Sequence, residues 1–114
     1  MEARAITRFV RLSPQKVRLV VDQIRGKGVE EALNILKFVP KRSADIIAKT
    51  LRTAVANAEN AAAEKRERID TDGMRITRIE VGEGIKLRRF QPSCRGRALP
   101  IRKRSSHIYL EIGG

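Results

Sequence analysis

GIKLRRFQPSCRGRALPIRKRSSHIYL, residues 84–110, runs for 27 residues without one Asp or Glu while carrying Lys86, Arg88, Arg89, Arg95, Arg97, Arg102, Lys103 and Arg104. Its far end leads into a strand, because Ile108, Leu110 and Ile112 alternate with His107, Tyr109 and Glu111 and so give one apolar and one polar face. Upstream, Met74 to Val81 is rich in β-branched residues and reads as a second strand, its alternation slipping between Ile76 and Ile79 as at a bulge. The acid-free run therefore joins two strands that can pair as one antiparallel hairpin, with the turn signal Gln91-Pro92-Ser93 near its middle. This predicts a protruding basic arm over about 84–104, its tip near Pro92 and its length on the order of 25 Å at roughly 3.3 Å per residue. An isolated two-stranded ribbon is marginal in water, and eight like charges this close repel one another, so a polyanion would help it greatly. Pro100 has no amide to donate, which predicts a break or bulge in the returning strand.

Outside the arm the pattern is mostly helical. Ser13-Pro14 sets a cap residue before a proline at the first helical position, and Val17, Val20, Val21 and Ile24 follow at i, i+3, i+4 and i+7. Gly26 ends that helix, and Gly28 leads into a second whose stripe is Val29, Ala32, Leu33 and Leu36, with Glu30 and Glu31 favoured by the dipole. Pro40 stops it. From Ser43 to about Lys65 the stripe Ile47, Leu51, Ala54, Val55, Ala58, Ala62 predicts a long central helix whose alanines admit a close neighbour. It dissolves into mixed charge and the turn Asp70-Thr71-Asp72-Gly73. Residues 2–12 mix apolar and basic positions as a strand with one wet face would.

At 114 residues the chain fits one domain, a body of about 1–83 and 105–114 plus the arm. The net charge is +12, of which residues 1–83 supply +5 (17 basic, 12 acidic), residues 84–110 supply +8, and Glu111 removes one. Aromatics are only 4% and Trp is absent, so the core must come from Ala, Val, Ile and Leu. No apolar run approaches the roughly 20 residues of a membrane span, and no secretory signal is visible, so a cytosolic protein without a membrane role is expected. Cys94 is the single cysteine and His107 the single histidine, which excludes an internal disulfide and leaves no metal cluster. No cofactor is expected, and no phosphate-binding loop or nucleophile elbow supports catalysis. Arg95 and Arg97 could lower the thiol pKa of Cys94, or Cys94 could simply fill a tight ribbon.

The arm's cations are six Arg to two Lys, which suits bidentate phosphate contact and stacking on exposed bases. Phe90 either stacks likewise or packs on its neighbours. A second basic group, Lys16, Arg18, Arg25, Lys27, Lys41 and Arg42, is either a wet face or a phosphate-binding one. Lys16 sits in a first helical turn, where the dipole disfavours a cation, so phosphate contact explains it better than helix stability does.

Three segments resemble the bacterial large-subunit ribosomal protein twenty-two family: SPQKVRLV at 13–20 with IRGK at 24–27, AVANA at 54–58, and Gly96-Arg97 followed by KRSSHI at 103–108. The resemblance implies an α+β fold, three helices packed on a small antiparallel three-stranded sheet with a long protruding basic β-hairpin. It implies early-assembly binding of 23S-type ribosomal RNA through Ser13, Lys16, Arg18, Arg25, Lys27, Lys41, Arg42, Lys86, Arg95, Arg97, Arg102, Lys103 and Arg104. The hairpin tip, Leu87, Arg88, Arg89, Phe90, Gln91, Pro92, Ser93 and Cys94, would line the nascent-peptide exit tunnel. Neighbouring large-subunit proteins and the nascent polypeptide would be further partners, with no homo-oligomer, in a cytoplasmic ribosome or that of an organelle matrix or stroma. The arm departs from the family pattern at Ile85, Ser93, Cys94 and Leu99-Pro100. The rival reading is an architectural DNA-binding protein whose basic β-arm wedges Pro92 between base steps, though no apolar stripe is left over for a dimer interface.

Overall fold

The computed structural model describes residues 2–66, 73–84, 87–92 and 98–113, with the backbone alone defined over 87–92 and 98–103. The described elements are β1 (Glu2–Val10), α1 (Pro14–Ile24), α2 (Val29–Phe38), α3 (Arg42–Glu64), β2 (Arg75–Glu83), β3 (Leu87–Pro92), β4 (Ala98–Lys103) and β5 (Ser106–Gly113). The turn expected at Asp70-Thr71-Asp72 lies outside the described residues, as do Ile85, Lys86, Ser93, Cys94, Arg95, Gly96 and Arg97.

The three helices form where the apolar stripes predicted them. Pro14 opens α1 behind the Ser13 cap, and Gly26 adopts the left-handed φ of +75° that a side chain would resist. α2 closes two residues before Pro40. Along α3 the face Ile47, Leu51, Ala54 and Ala58 is fully buried, and its alanines let the backbone come close to β1. There Asn57 Nδ2 donates to the Arg4 carbonyl at 2.9 Å, and the Thr7 and Thr50 hydroxyls meet at 2.6 Å. That gives the AVANA segment a structural reason: small residues for approach, one amide to fasten the strand.

β5 is the middle strand of an antiparallel sheet ordered β1-β5-β2. Its inward residues Ile108, Leu110 and Ile112 are fully buried against the helices, with Ala5, Ile76, Ile79 and Val81 beside them. The expected bulge in β2 is present, the register shifting between Ile76 and Arg78. A second irregularity, between Thr7 and Val10, was not expected, and it coincides with a positive φ of 58° at Phe9. The helices cover one face only.

β3 and β4 form a separate two-stranded ribbon that extends the β2–β5 pair. Beyond the Glu83–Ser106 rung, the Gly84 amide donates to the Ser105 carbonyl at 2.9 Å, and the ladder resumes with Leu87 opposite Lys103. The long axis of the protein is 67 Å against 27 and 16 Å, and the radius of gyration is 17.6 Å, where a compact chain of this length has about 13 Å.

Two expectations about the ribbon are corrected. Pro92 does not sit in a turn: it stands inside the ladder, paired with Ala98, and residues 93–97 lie outside the described residues. Pro100 interrupts nothing either, for it pairs with Phe90 in an even register from Ala98 to Lys103. Antiparallel rungs alternate between hydrogen-bonded and non-hydrogen-bonded, and the two rungs that contain proline are two apart, hence of one class. Even pairing through both requires that class to be the non-hydrogen-bonded one, where the missing amide points off the ribbon's open edge.

Candidate nucleic-acid interface

The ribbon brings the arm's cations into a defined order. Arg88 stands directly opposite Arg102 and Leu87 opposite Lys103, so positions assigned by resemblance to tip and to anchor occupy one level of the ribbon. Cα atoms across such a rung are roughly 4.5–5.5 Å apart. Like-charged residues directly opposite one another disfavour a sheet pair, a cost that an anion nearby would offset.

In the body, the structure separates the basic candidates by what already holds them. Ser13 accepts from the Lys16 amide at 3.4 Å, a long cap bond that accounts for the serine locally. Arg18 donates to the Val81 carbonyl at 2.9 Å and Arg25 to the Ile79 carbonyl at 2.8 Å. β2 is an edge strand, and Ile79 and Val81 are two residues apart, so both carbonyls face outward from the sheet toward α1. The two arginines, seven residues apart on one helical face, thus bind an otherwise open strand edge, a role the sequence did not reveal. Arg25 also reaches Asp22 at 3.4 Å, and Lys27 reaches Glu31 at 3.9 Å. Lys16, Lys41, Arg42 and Arg104 are exposed, and their side chains hold no hydrogen bond or ion pair among the described residues.

These four gather toward the root of the ribbon. α1 runs antiparallel to β2, Arg25 at Ile79 and Arg18 at Val81, so Lys16 lies nearer Glu83, where the ribbon begins. Along α3, Asn57 is at Arg4 and Thr50 at Thr7, and another two turns bring the start of the helix to the level of Val10, whose partner is Ser106. Lys41 and Arg42 therefore sit at that same end. Lys27 sits at the other, its carbonyl accepting from the Ile76 amide.

Sequence reasoning passed over two exposed aromatic residues of the body, Phe38 and Phe9. Phe38, at the end of α2, is 81% exposed and bracketed by Lys37, Lys41 and Arg42; the run KFVPKR was a legible sign of it. Phe9 is 61% exposed, and its ring meets His107 edge-on with centroids 5.0 Å apart. The Phe9 amide donates to Nδ1 of His107 at 3.1 Å, which places the imidazole proton on Nε2. His107 is thus a local hydrogen-bonding residue at the root of the arm. Arg78 lies over the Tyr109 ring at 5.5 Å from its centroid and grips Glu80 through Nε and Nη2 at 2.9 and 2.7 Å, a contact that raises the guanidinium pKa above its ordinary value. Among the described residues no three His, Cys, Asp or Glu gather as metal ligands, and no helix is long and apolar enough to cross a membrane.

Residues 5–113 match the family described as ribosomal protein L22p/L17e. The large ribosomal subunit protein uL22 of Maridesulfovibrio salexigens is 52% identical over 112 residues, which cover 98% of this chain and 97% of the relative. Its counterpart from Thermoanaerobacter sp. is 49% identical over 98% of this chain and 96% of its own length. That of Clostridium acetobutylicum is 49% identical over 95% and 93%.

Proposed function

This chain belongs to the ribosomal protein L22p/L17e family, and from that premise we propose that it builds the large ribosomal subunit by binding 23S-type ribosomal RNA during early assembly. Its role is structural rather than catalytic. The observation that carries this reading is the ribbon itself: two strands paired with each other in a sheet of their own, extending the β2–β5 pair, in a run of 27 residues that lacks any acid. Such an element gains its stability from a polyanion, and folded RNA offers phosphate on all sides of an inserted arm. The unpartnered cations Lys16, Lys41, Arg42 and Arg104 at the ribbon's root support a contact surface that continues from arm to body.

The finer assignment follows the same logic. The body, with Ser13, Arg18, Arg25 and Lys27, and the arm cations Lys86, Arg95, Arg97, Arg102 and Lys103 hold RNA. The stretch from Leu87 to Cys94 meets the exit tunnel and the nascent polypeptide, with Arg88, opposite Arg102 near the root of the ribbon, also within reach of RNA. Neighbouring large-subunit proteins complete the surroundings, and the chain acts as one domain and as a monomer within the ribosome.

Sedimentation of cell lysate tests the whole reading. The protein should travel with the large subunit and leave that fraction after ribonuclease treatment. A protein found on nuclease-resistant DNA instead would overturn it in favour of an architectural DNA-binding role.

A further inference from the structure

The sheet face away from the helices carries a slot that the ribbon does not need. His107 and Tyr109 project from the same face of β5, two residues apart, hence about 6.8 Å from each other along the strand. That is the spacing of the backbone, and a flat ring entering the groove from its open face would have an aromatic side chain on either side. Gly82 stands opposite His107 on β2 and puts no side chain in the way. A groove of about 470 Å³ runs here, lined by Arg25, Ile79, Glu80, Val81, Gly82, His107 and Tyr109.

Each ring has a neighbour besides the groove. Phe9 meets His107 edge-on and its amide donates to Nδ1, so that Nε2 is the nitrogen that carries the proton. Arg78, whose register position is opposite Glu111, lies over the Tyr109 ring at 5.5 Å from its centroid. The Tyr109 hydroxyl is tied to Glu111 at 3.3 Å. At the outer end of the groove the Arg25 guanidinium, held on the Ile79 carbonyl, stands at the β2 edge with more than half of its side chain exposed.

We infer that this groove binds a single unpaired RNA nucleotide, its base inserted between His107 and Tyr109 and its phosphate drawn to Arg25. Charge decides between an RNA and a peptide or second copy as occupant. The one carboxylate lining the groove, Glu80, is already paired with Arg78 at 2.7 Å, and the groove opens at the root of a segment with eight cations and no acid on a protein of net charge +12, which attracts a phosphate chain and repels its own kind. Aromatic rings on an open sheet face are a recurrent way to hold splayed-out RNA bases, and a paired duplex offers no free base to insert.

The inference rests on the RNA-binding reading and can be tested apart from it. Tyr109 is the only tyrosine and the chain has no tryptophan, so intrinsic fluorescence reports this position alone. The intact protein would be titrated with an adenosine decamer and with a blunt RNA duplex of equal charge. The decamer should quench Tyr109 saturably and the duplex should not. Tyr109→Leu should weaken decamer binding, followed by anisotropy of a labelled strand, about tenfold while leaving duplex binding by the arm unchanged, and Tyr109→Phe should retain it. Equal quenching by both RNAs, an equal loss on both with Tyr109→Leu, or quenching that follows protein concentration rather than RNA would each overturn the slot. RNA binding without any quenching would overturn the slot and leave the arm's role standing; failure to bind either RNA would remove both.

Discussion

Gly84 lies against the imidazole of His107: a Cβ there would stand 3.3 Å from both Cε1 and Nε2 of the ring, and closer still to the Ser105 hydroxyl oxygen. The last residue of the body before the ribbon is thus packed under the side chain whose Nδ1 accepts the Phe9 amide. Gly84→Ala should force the Ser105 hydroxyl aside and press on the imidazole, at a cost on the order of 1–2 kcal/mol, seen as a lower urea midpoint at unchanged slope. Gly26→Ala makes an instructive partner, since no atom crowds that position and only its φ of +75° resists a side chain.

The arginine clamps on β2 should act on stability without any RNA present. Arg18→Ala removes the donor to Val81 and should cost about 0.5–1 kcal/mol, discounted because the site is partly open to water. Arg25→Lys keeps the charge but loses the fork that spans the Ile79 carbonyl and Asp22. It should lower stability by a similar amount while salt-dependent RNA affinity stays within twofold. Unchanged melting in both variants would show that the edge needs no clamp.

The hydroxyl pair between β1 and α3 should behave as a unit. Thr50 is buried, donates back to the Ile46 carbonyl at 3.0 Å and shares a hydrogen bond with Thr7. Thr7→Val and Thr50→Val should each cost about 1 kcal/mol, and the double variant less than their sum, because removing both partners leaves no orphaned hydroxyl. A simple additive result would contradict the pairing.

Arg88 and Arg102 share one rung of the ribbon, so neutralising either should have the same effect on RNA binding. Each true phosphate contact contributes roughly 0.7–0.9 to the salt slope, and Arg88→Gln and Arg102→Gln should each lower it by that much. A large change from one and none from the other would mean that the RNA reads the two strands differently.

Most of the body was legible because its signals are local. Ser13-Pro14, the stripe from Val17 to Ile24, the stop at Pro40 and the alternation around Leu110 each follow from a helical or strand period, and they place α1, α2 and β5 where the structure has them. The slip between Ile76 and Ile79 marked the bulge for the same reason. The ribbon's details were not legible. Proline at 92 and 100 signals a turn and a break when read along one strand, and only the pairing of two strands shows that both missing amides fall on one class of rung. In the same way Arg18 and Arg25 read as free cations until the fold sets them beside the carbonyls of Val81 and Ile79. The exposed Phe9 was hidden because a positive φ depends on a register shift that no local pattern encodes.

The two prolines also settle a problem of alignment. Strands that bury one face are held in step by their apolar pattern, and a ribbon with no core lacks that guide. Sliding one strand of this ribbon past the other by a single residue would turn Pro92 or Pro100 inward and leave a rung with nothing to donate. The described strands therefore carry their own vernier: their two edges stay in step before any partner is met, so that Arg88 keeps Arg102 opposite it instead of sampling neighbouring alignments.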